Sequence, residues 1–434
     1  MTDSISVLHL TAHLGGGIGK ALSGLVLNTP VESGVRHTIV CLEPPEKHQF
    51  LDQLSAFGCT VVIAPDRENL ARLIEASDIV QLEWWGHPLT IATLCAGPLP
   101  AMRLLLWCHV SGINTPIIPS RLMEAAHACL FTSHCSYDAA EVARLLPSYR
   151  SRMGVIHSAG GFSGLSVPDR RHETTLAAGY LGSLNFAKLH PRYVEFLSAV
   201  TISGFSVRMI GDIVNREALE QQCQKAGRLD ILEFRGYTDD IAAELAAINV
   251  LPYLLNPLHY GTSENALLEA MAMGVVPIVL DNPAERCLVK DRETGLIVTT
   301  PKEFSDAVSW LENHPQERRQ ISRQASAAVR DRFAVGKTVD AFYRQYSSVR
   351  MADKTTISFD SIFGRTPAEW FLTNQKHPEY FTADRQLGTN DEHTLPGLLE
   401  KTKGSVFHYC RHFPEDSRLA KWAERLTHLA HSNG

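Results

Sequence analysis

The chain has 434 residues, 44% hydrophobic and 20% charged, which suggests two domains of an ordinary globular protein. Its 41 lysines and arginines against 47 aspartates and glutamates give a formal charge of −6, so it carries no general attraction for nucleic acid or anionic membrane. Nine cysteines without a C-x-x-C pair argue against a zinc ribbon or a thioredoxin-type site and fit a reducing cytoplasm.

The start, MTDSISVLHL, enters a strand without a basic leader, and no apolar run is long enough to span a bilayer. The expectation is therefore a cytoplasmic protein. Ser4–Thr11 reads as a strand, and HLGGGIGKAL (13–22) follows, with a helix from about Gly19. A G-x-G-x-x-G fingerprint begun at Gly15 needs glycine where Lys20 stands, and one begun at Gly17 needs it at Leu22. A phosphate loop ending at Gly19-Lys20 needs glycine at Leu14 and serine or threonine at Ala21. Both motifs fail by register, and Lys20 reads as a solvated helix residue. The same failure argues against a dehydrogenase.

Strands are expected at His37–Cys41, Thr60–Ala64, Asp78–Leu82, Arg103–Cys108, Ala128–Thr132 and Val155–His157, with helical stretches such as Arg67–Glu75 between them. Short apolar strands alternating with helices predict a parallel sheet covered on both faces. The polar run GGFSGLSVPDRRHE (160–173) reads as a linker. The alternation restarts with strands at Leu176–Leu181, Val207–Ile210, Leu232–Phe234, Val250–Leu254, Val276–Leu280 and Gly295–Val298. Two Rossmann-like halves then face a cleft, and ligands of such sheets bind beyond the carboxyl ends of the strands. Gly336–Ser348 reads as an amphipathic helix. The tail 351–434, with an acidic turn near Asn390, is expected to add helices at Gly397–Tyr409 and Asp416–His428.

The run HYGTSENALLEAMAMGVVPIVLDNPAE (259–285) carries the most chemistry. Its helix should start near Ser263 or Glu264, and a helix N-terminus offers unpaired N–H groups and a positive dipole end to an anion. Small residues at 261–263 would let a ligand approach the backbone, while Glu264 and Glu269 taken alone read more simply as ordinary helix glutamates.

This run resembles glycosyltransferase family 4, the retaining GT-B enzymes of the glycosyl transferases group 1. Glu269-Ala270-Met271-Ala272 with Gly274 is similar to the second half of the family's paired-glutamate motif. Asn282-Pro283-Ala284-Glu285 and Glu293-Thr294-Gly295-Leu296 resemble the turn and its sequel. Gly179–Leu184 with Lys188, Ile210-Gly211-Asp212, Phe234–Tyr237 and Leu251-Pro252 resemble further elements in the family's order, and Gly15–Gly19 and His109 do so in the first half. Roughly the first 345 residues are covered.

The resemblance implies an α/β GT-B fold, two Rossmann-like doubly wound parallel-sheet domains facing across a cleft. It places an acceptor-side domain at 1–165 and a donor-side domain at 174–335. A helix at 336–350 would cross back to the first domain, with a helical extension at 351–434. It implies a retaining transferase that moves a sugar from a UDP- or GDP-linked donor without metal or cofactor to a glycan, lipid-linked or small-molecule acceptor. Lys188 would neutralise the diphosphate leaving group, and His109 would lie beside the donor sugar. Gly16, Gly17, Thr262, Ser263 and Asn265 would cradle the diphosphate, Gly236 and Tyr237 would line the base pocket, and Glu269 would hold the ribose.

Two departures stand out. The family's arginine falls at Ser183, and its first glutamate falls at Gly261, for which Glu264 is the candidate substitute. These leave a non-catalytic GT-B protein that binds a nucleotide, glycan or partner chain as the alternative. Trp84, Trp85 and His87 are candidate acceptor residues, with core packing plus an exposed edge as an equal reading of the two tryptophans. No D-x-D pair supports a bound metal. Arg144, Arg150 and Arg152 could touch a membrane surface, a solvated face being the plainer reading.

Overall fold

The computed structural model describes residues 4–158, 160–169, 174–382, 394–402 and 404–432. The expected acidic turn near Asn390 lies outside them. Seven strands make the first sheet: β1 (Ile5–Thr11), β2 (Val35–Cys41), β3 (Thr60–Ile63), β4 (Ile79–Trp84), β5 (Leu104–Cys108), β6 (Ala128–Phe131) and β7 (Met153–Val155). Six make the second: β8 (Ala178–Leu181), β9 (Val207–Ile210), β10 (Leu232–Gly236), β11 (Val250–Tyr253), β12 (Val276–Leu280) and β13 (Leu296–Val298). All these pairings are parallel, in the orders β3-β2-β1-β4-β5-β6-β7 and β10-β9-β8-β11-β12-β13. The architecture is GT-B, as the sequence leads one to expect.

The order reverses beside β1 in the first sheet and beside β8 in the second. Connections leaving neighbouring strands there go to opposite faces, which opens a crevice at the carboxyl ends. The glycine loop after β1 and the segments after β8 and β11 start at these points. The central strands are buried on both faces, so they read as apolar runs rather than as alternating patterns.

Two differences from the sequence reading bear on the site. First, β4 runs on to Trp84, so Glu83 and Trp84 are strand residues whose side chains point to opposite faces. Second, the expected helix Gly397–Tyr409 is two helices, Thr394–Leu399 and Val406–His412. Gly404 breaks it at φ +84°, and the Ser405 side chain then caps the second helix by accepting from the His408 N–H.

The helix Val335–Val349 packs on the first sheet, where Val339, Phe342, Tyr346 and Val349 join a core with Ile5, Val7 and Trp107. The tail continues the opposite core. Phe359, Phe363, Phe371, Tyr409, Leu419 and Leu426 are buried with Trp84, Ile91 and Leu94. The tail also touches the second sheet's domain: the Glu400 carboxylate accepts from the Phe186 N–H at 2.6 Å and from Asn215 Nδ2 at 2.5 Å. Among the described residues no helix is long and apolar enough to cross a membrane.

Candidate active site in the cleft between the sheets

A cavity of about 370 Å³ lies between the carboxyl ends of the two sheets. Gly16, Gly17, Trp85 and His109 line it from the first sheet; Lys188, Gly261, Thr262, Ser263, Glu264 and Asn265 line it from the second. Two helix N-termini meet there. The helix Gly16–Leu27 begins at the glycine loop, where Gly16 has φ +58°, and the helix Asn265–Ala272 begins after Glu264. First-turn N–H groups have no partner within a helix, so both ends offer donors to an anion. A side chain at Gly17 would begin 3.0 Å from Asn265 Nδ2, so bare backbone is what allows the two ends to approach.

Lys188 and Glu264 are paired across this mouth, Nζ to Oε2 at 2.8 Å, and the Tyr253 hydroxyl donates to the same carboxylate at 2.7 Å. Burial pushes the Glu264 carboxyl up, but Lys188, His259 and the Tyr253 hydrogen bond outweigh it and hold the group below the usual carboxylate range. Lys188 is held above its ordinary value: burial opposes the charge, and Glu264 more than offsets it. Gly261 explains how Glu264 reaches this position. A Cβ at 261 would lie 1.7 Å from Glu264 Oε1, so the missing side chain leaves the space that the Glu264 carboxylate fills.

Thr262 and Ser263 have local partners on the first sheet. The Thr262 and Thr132 hydroxyls are 2.7 Å apart, and Ser263 Oγ donates to the Thr132 carbonyl at 2.8 Å. Ser183 accepts from Asn185 Nδ2 at 2.6 Å and does not line the cavity. Arg192, nine residues on, bonds Glu195, Nε to Oε2 at 2.6 Å. The fold does bring Lys20 across, and it pairs with Glu269. The expectation of a solvated Lys20 is thereby corrected. The two residues are 249 positions apart, and helix periodicity carries no signal of the contact. Gly236 and Tyr237 also lie off the cavity; Lys47 Nζ sits 3.5 Å over the Tyr237 ring.

Behind His109 runs a buried network that sequence reasoning missed. His109 Nε2 donates to Glu83 Oε2 at 2.8 Å, and His9 Nδ1 and Gln81 Nε2 meet Glu83 Oε1 at 3.1 and 2.8 Å. Tyr346 donates to Gln81 Oε1 at 2.6 Å. Burial raises the Glu83 carboxyl, but the hydrogen bonds from His109 and His9 hold it below its ordinary value. With Nε2–H committed to Glu83, the neutral His109 ring keeps Nδ1 as an acceptor. The alternation His9, Gln81, Glu83 on the inner strands is the sequence signal, since charged residues are rarely buried without partners.

Of the three candidate acceptor residues, Trp85 lines the cavity. Trp84 is fully buried and stacks on Phe363 at 5.5 Å, so it is not a sugar platform. His87 is 1% exposed, and its Nδ1 accepts from the Leu89 N–H at 3.2 Å, capping the helix Pro88–Cys95. The three arginines are engaged locally. Arg144 pairs with Glu141 at 3.5 Å, Arg150 bonds the Ala143 carbonyl, and Arg152 lies over the Tyr149 ring at 4.9 Å.

His87 also gathers two groups of metal-capable side chains, one with His408 and His412 and one with His13 and Glu43, each with ligand atoms within 4.8 Å. Their hydrogen bonds do not suit a metal. Nδ1 of His13, His87 and His408 each accepts a backbone N–H, from Gly15, Leu89 and Gly404 at 2.9, 3.2 and 2.9 Å. In the neutral ring that leaves the proton on Nε2, where a metal needs a lone pair. The rings instead use this N–H on each other and on Glu43: His408 Nε2 meets His412 Nε2 at 3.2 Å, and His87 Nε2 lies 3.4 Å from Glu43 Oε1.

Two Rossmann-like sheets whose helix N-termini and a lysine–glutamate pair converge on one cleft define a GT-B scaffold. Residues 177–314 match the family described as Glycosyl transferases group 1. No curated protein sequence matches the chain. Solved structures agree in fold. The UDP complex of Anabaena HepE is 16% identical with a TM-score of 0.64, covering 80% of this chain and 100% of its own. A glycosyltransferase from Rickettsia africae is 12% identical, with a TM-score of 0.64 and coverage of 81% and 100%. Sucrose-phosphate synthase from Thermosynechococcus elongatus is 15% identical, with a TM-score of 0.58 and coverage of 79% and 99%.

Proposed function

We propose that the chain is a retaining, family 4 glycosyltransferase of the cytoplasm that moves a sugar from a UDP- or GDP-linked donor to a carbohydrate, lipid-linked or small-molecule acceptor. The observation that carries this is the convergence of two helix N-termini with Lys188 on one cavity, a fit for a diphosphate. HepE was crystallised with UDP, which favours a uridine donor here. The first sheet's domain takes the acceptor side and the second sheet's domain the donor side.

In this reading the acceptor oxygen attacks the anomeric carbon as its bond to the diphosphate oxygen breaks. The acceptor's proton passes to that leaving oxygen, on the same face. Lys188 stabilises the charge that grows on the diphosphate. Glu264, in the space left by Gly261, orients the transferred sugar. His109 Nδ1 accepts from a sugar hydroxyl and is held in place by Glu83. Glu269 receives the ribose once Lys20 releases it. Gly236 and Tyr237 close on the base. No step calls for a metal.

The test is thermal unfolding against UDP, GDP, ADP, CMP, NAD and their common sugar conjugates, followed by turnover. A ligand at 100 times its dissociation constant adds about 2.7 kcal/mol and raises the midpoint. A rise with one nucleoside diphosphate and not with NAD, with turnover of its sugar conjugate, is the expected result. Binding without turnover would favour the non-catalytic alternative, and no rise with any nucleotide would end the transferase reading.

A further inference from the structure

A second cavity, of about 160 Å³, lies where the tail folds over the mouth of the cleft. Phe371, Phe381, Val406 and Leu426, each at most 5% exposed, supply tail walls. Pro116 and Tyr260 line this cavity and the cleft cavity alike, so the two spaces share a wall and adjoin. The polar groups at the rim have partners already. Lys376 Nζ donates to Asn114 Oδ1 at 2.9 Å, and Asn114 Nδ2 donates to the Pro257 and His259 carbonyls at 3.3 Å. Four aromatic side chains, of Tyr260, Phe371, Tyr380 and Phe381, stand in the lining beside aliphatic ones such as Leu398, Val406 and Leu426.

Protein interiors leave few voids larger than a water molecule. An apolar void of about 150 Å³ holds one benzene ring. An aromatic-walled space of that size, adjoining a reaction cleft and roofed by an appended domain, is a ligand's place rather than a packing fault.

We propose that this cavity is an acceptor subsite, and that it takes a single aromatic ring carried by the acceptor. The ring sits under the tail, and the hydroxyl-bearing part of the same molecule passes Pro116 and Tyr260 into the cleft. The tail is thereby part of acceptor selection. This rests on the transferase reading for the word acceptor, while the ring-binding itself does not.

The experiment follows binding of 4-fluorobenzyl alcohol to the full chain by fluorine NMR, without nucleotide. Gly397 stands at the cavity wall, where an added Cβ meets only Ala187 Cα at 3.9 Å and Asn256 Nδ2 at 4.0 Å. Gly397→Phe is expected to fill the space and weaken the probe at least tenfold, with the response to nucleotides unchanged. Val406→Ala, which removes bulk and keeps the helix, is expected to shift preference from the phenyl probe toward 2-naphthol. With the donor identified, an acceptor bearing a phenyl group should show kcat/KM at least tenfold above its methyl counterpart, and Gly397→Phe should erase that ratio while donor hydrolysis persists. A nucleotide response with no probe binding, or equal binding in wild type and Gly397→Phe, overturns the proposal alone. Probe binding with no response to any nucleotide overturns the assignment as an acceptor subsite together with the transferase reading.

Discussion

Lys188 and Glu264 hold each other's charge in a partly buried mouth, so each is poised without ligand. Replacing Lys188 by alanine should lower kcat about 10²–10³-fold, the cost of losing one preorganised electrostatic group. Glu264→Gln should keep the fold, since the amide still reaches Tyr253, and should lower kcat with little change in nucleotide affinity. Steady-state rates beside nucleotide titrations check both. The histidines give a second residue-scale expectation. Burial lowers His408 to about 3 and His157 to about 4, the nearby His87 and His412 adding to the effect on His408. The unfolded chain takes up these protons near pH 6.5 and the folded chain does not. Stability from these groups is therefore whole above pH 6.5 and is lost as pH falls toward 4, at about 1.4 kcal/mol per pH unit for each group. Urea unfolding at pH 7, 6 and 5 should show the decline, and His408→Gln should flatten it by about one group's share.

At the scale of elements, the strands were legible because a parallel sheet covered on both faces needs uninterrupted apolar runs, and β5 and β12 supply them. The glycine loop was legible as a close approach, though the partner it approaches, Asn265, was not. Contacts made across the cleft have no local signature; Lys20 with Glu269 and Thr132 with Thr262 are pairs that only the fold brings together. Trp84 departs from its expected place because β4 runs two residues past Leu82, and that end decides which face the ring takes. Gly261 was read as the loss of a glutamate, and the structure shows that the loss makes room for another. Gly261→Ala should therefore act on chemistry more than on folding. A Cβ there displaces the Glu264 carboxylate from Lys188, and the expected outcome is about a 10²-fold fall in kcat with a midpoint within a few degrees of wild type.

For the whole molecule, the tail shares one core with the first sheet, and a chain truncated after Ser348 would expose Trp84, Ile91 and Leu94 to water. Each large apolar side chain so exposed costs about 1.5–3 kcal/mol. The truncated chain should therefore unfold at least 10 °C lower or aggregate, as scanning calorimetry and gel filtration would show. Removing Lys20 tests the cleft instead. A partly exposed ion pair contributes about 0–1 kcal/mol, so Lys20→Ala should change nucleotide affinity by no more than about fivefold through the release of Glu269. A larger loss would mean that Lys20 itself meets the phosphates.

Glu400 gives the molecule a mechanical character. The backbone joins the two sheets at two places, the segment after β7 and the step from Phe333 into Val335. Two joints alone make a door that swings. Glu400 is a latch on that door, set in a tail seated on the first sheet and closed on Phe186 and Asn215 beside the second. To open, the two halves must break this contact together with Lys20–Glu269 and Thr132–Thr262, so the latch shares its load with pairs in the cleft itself.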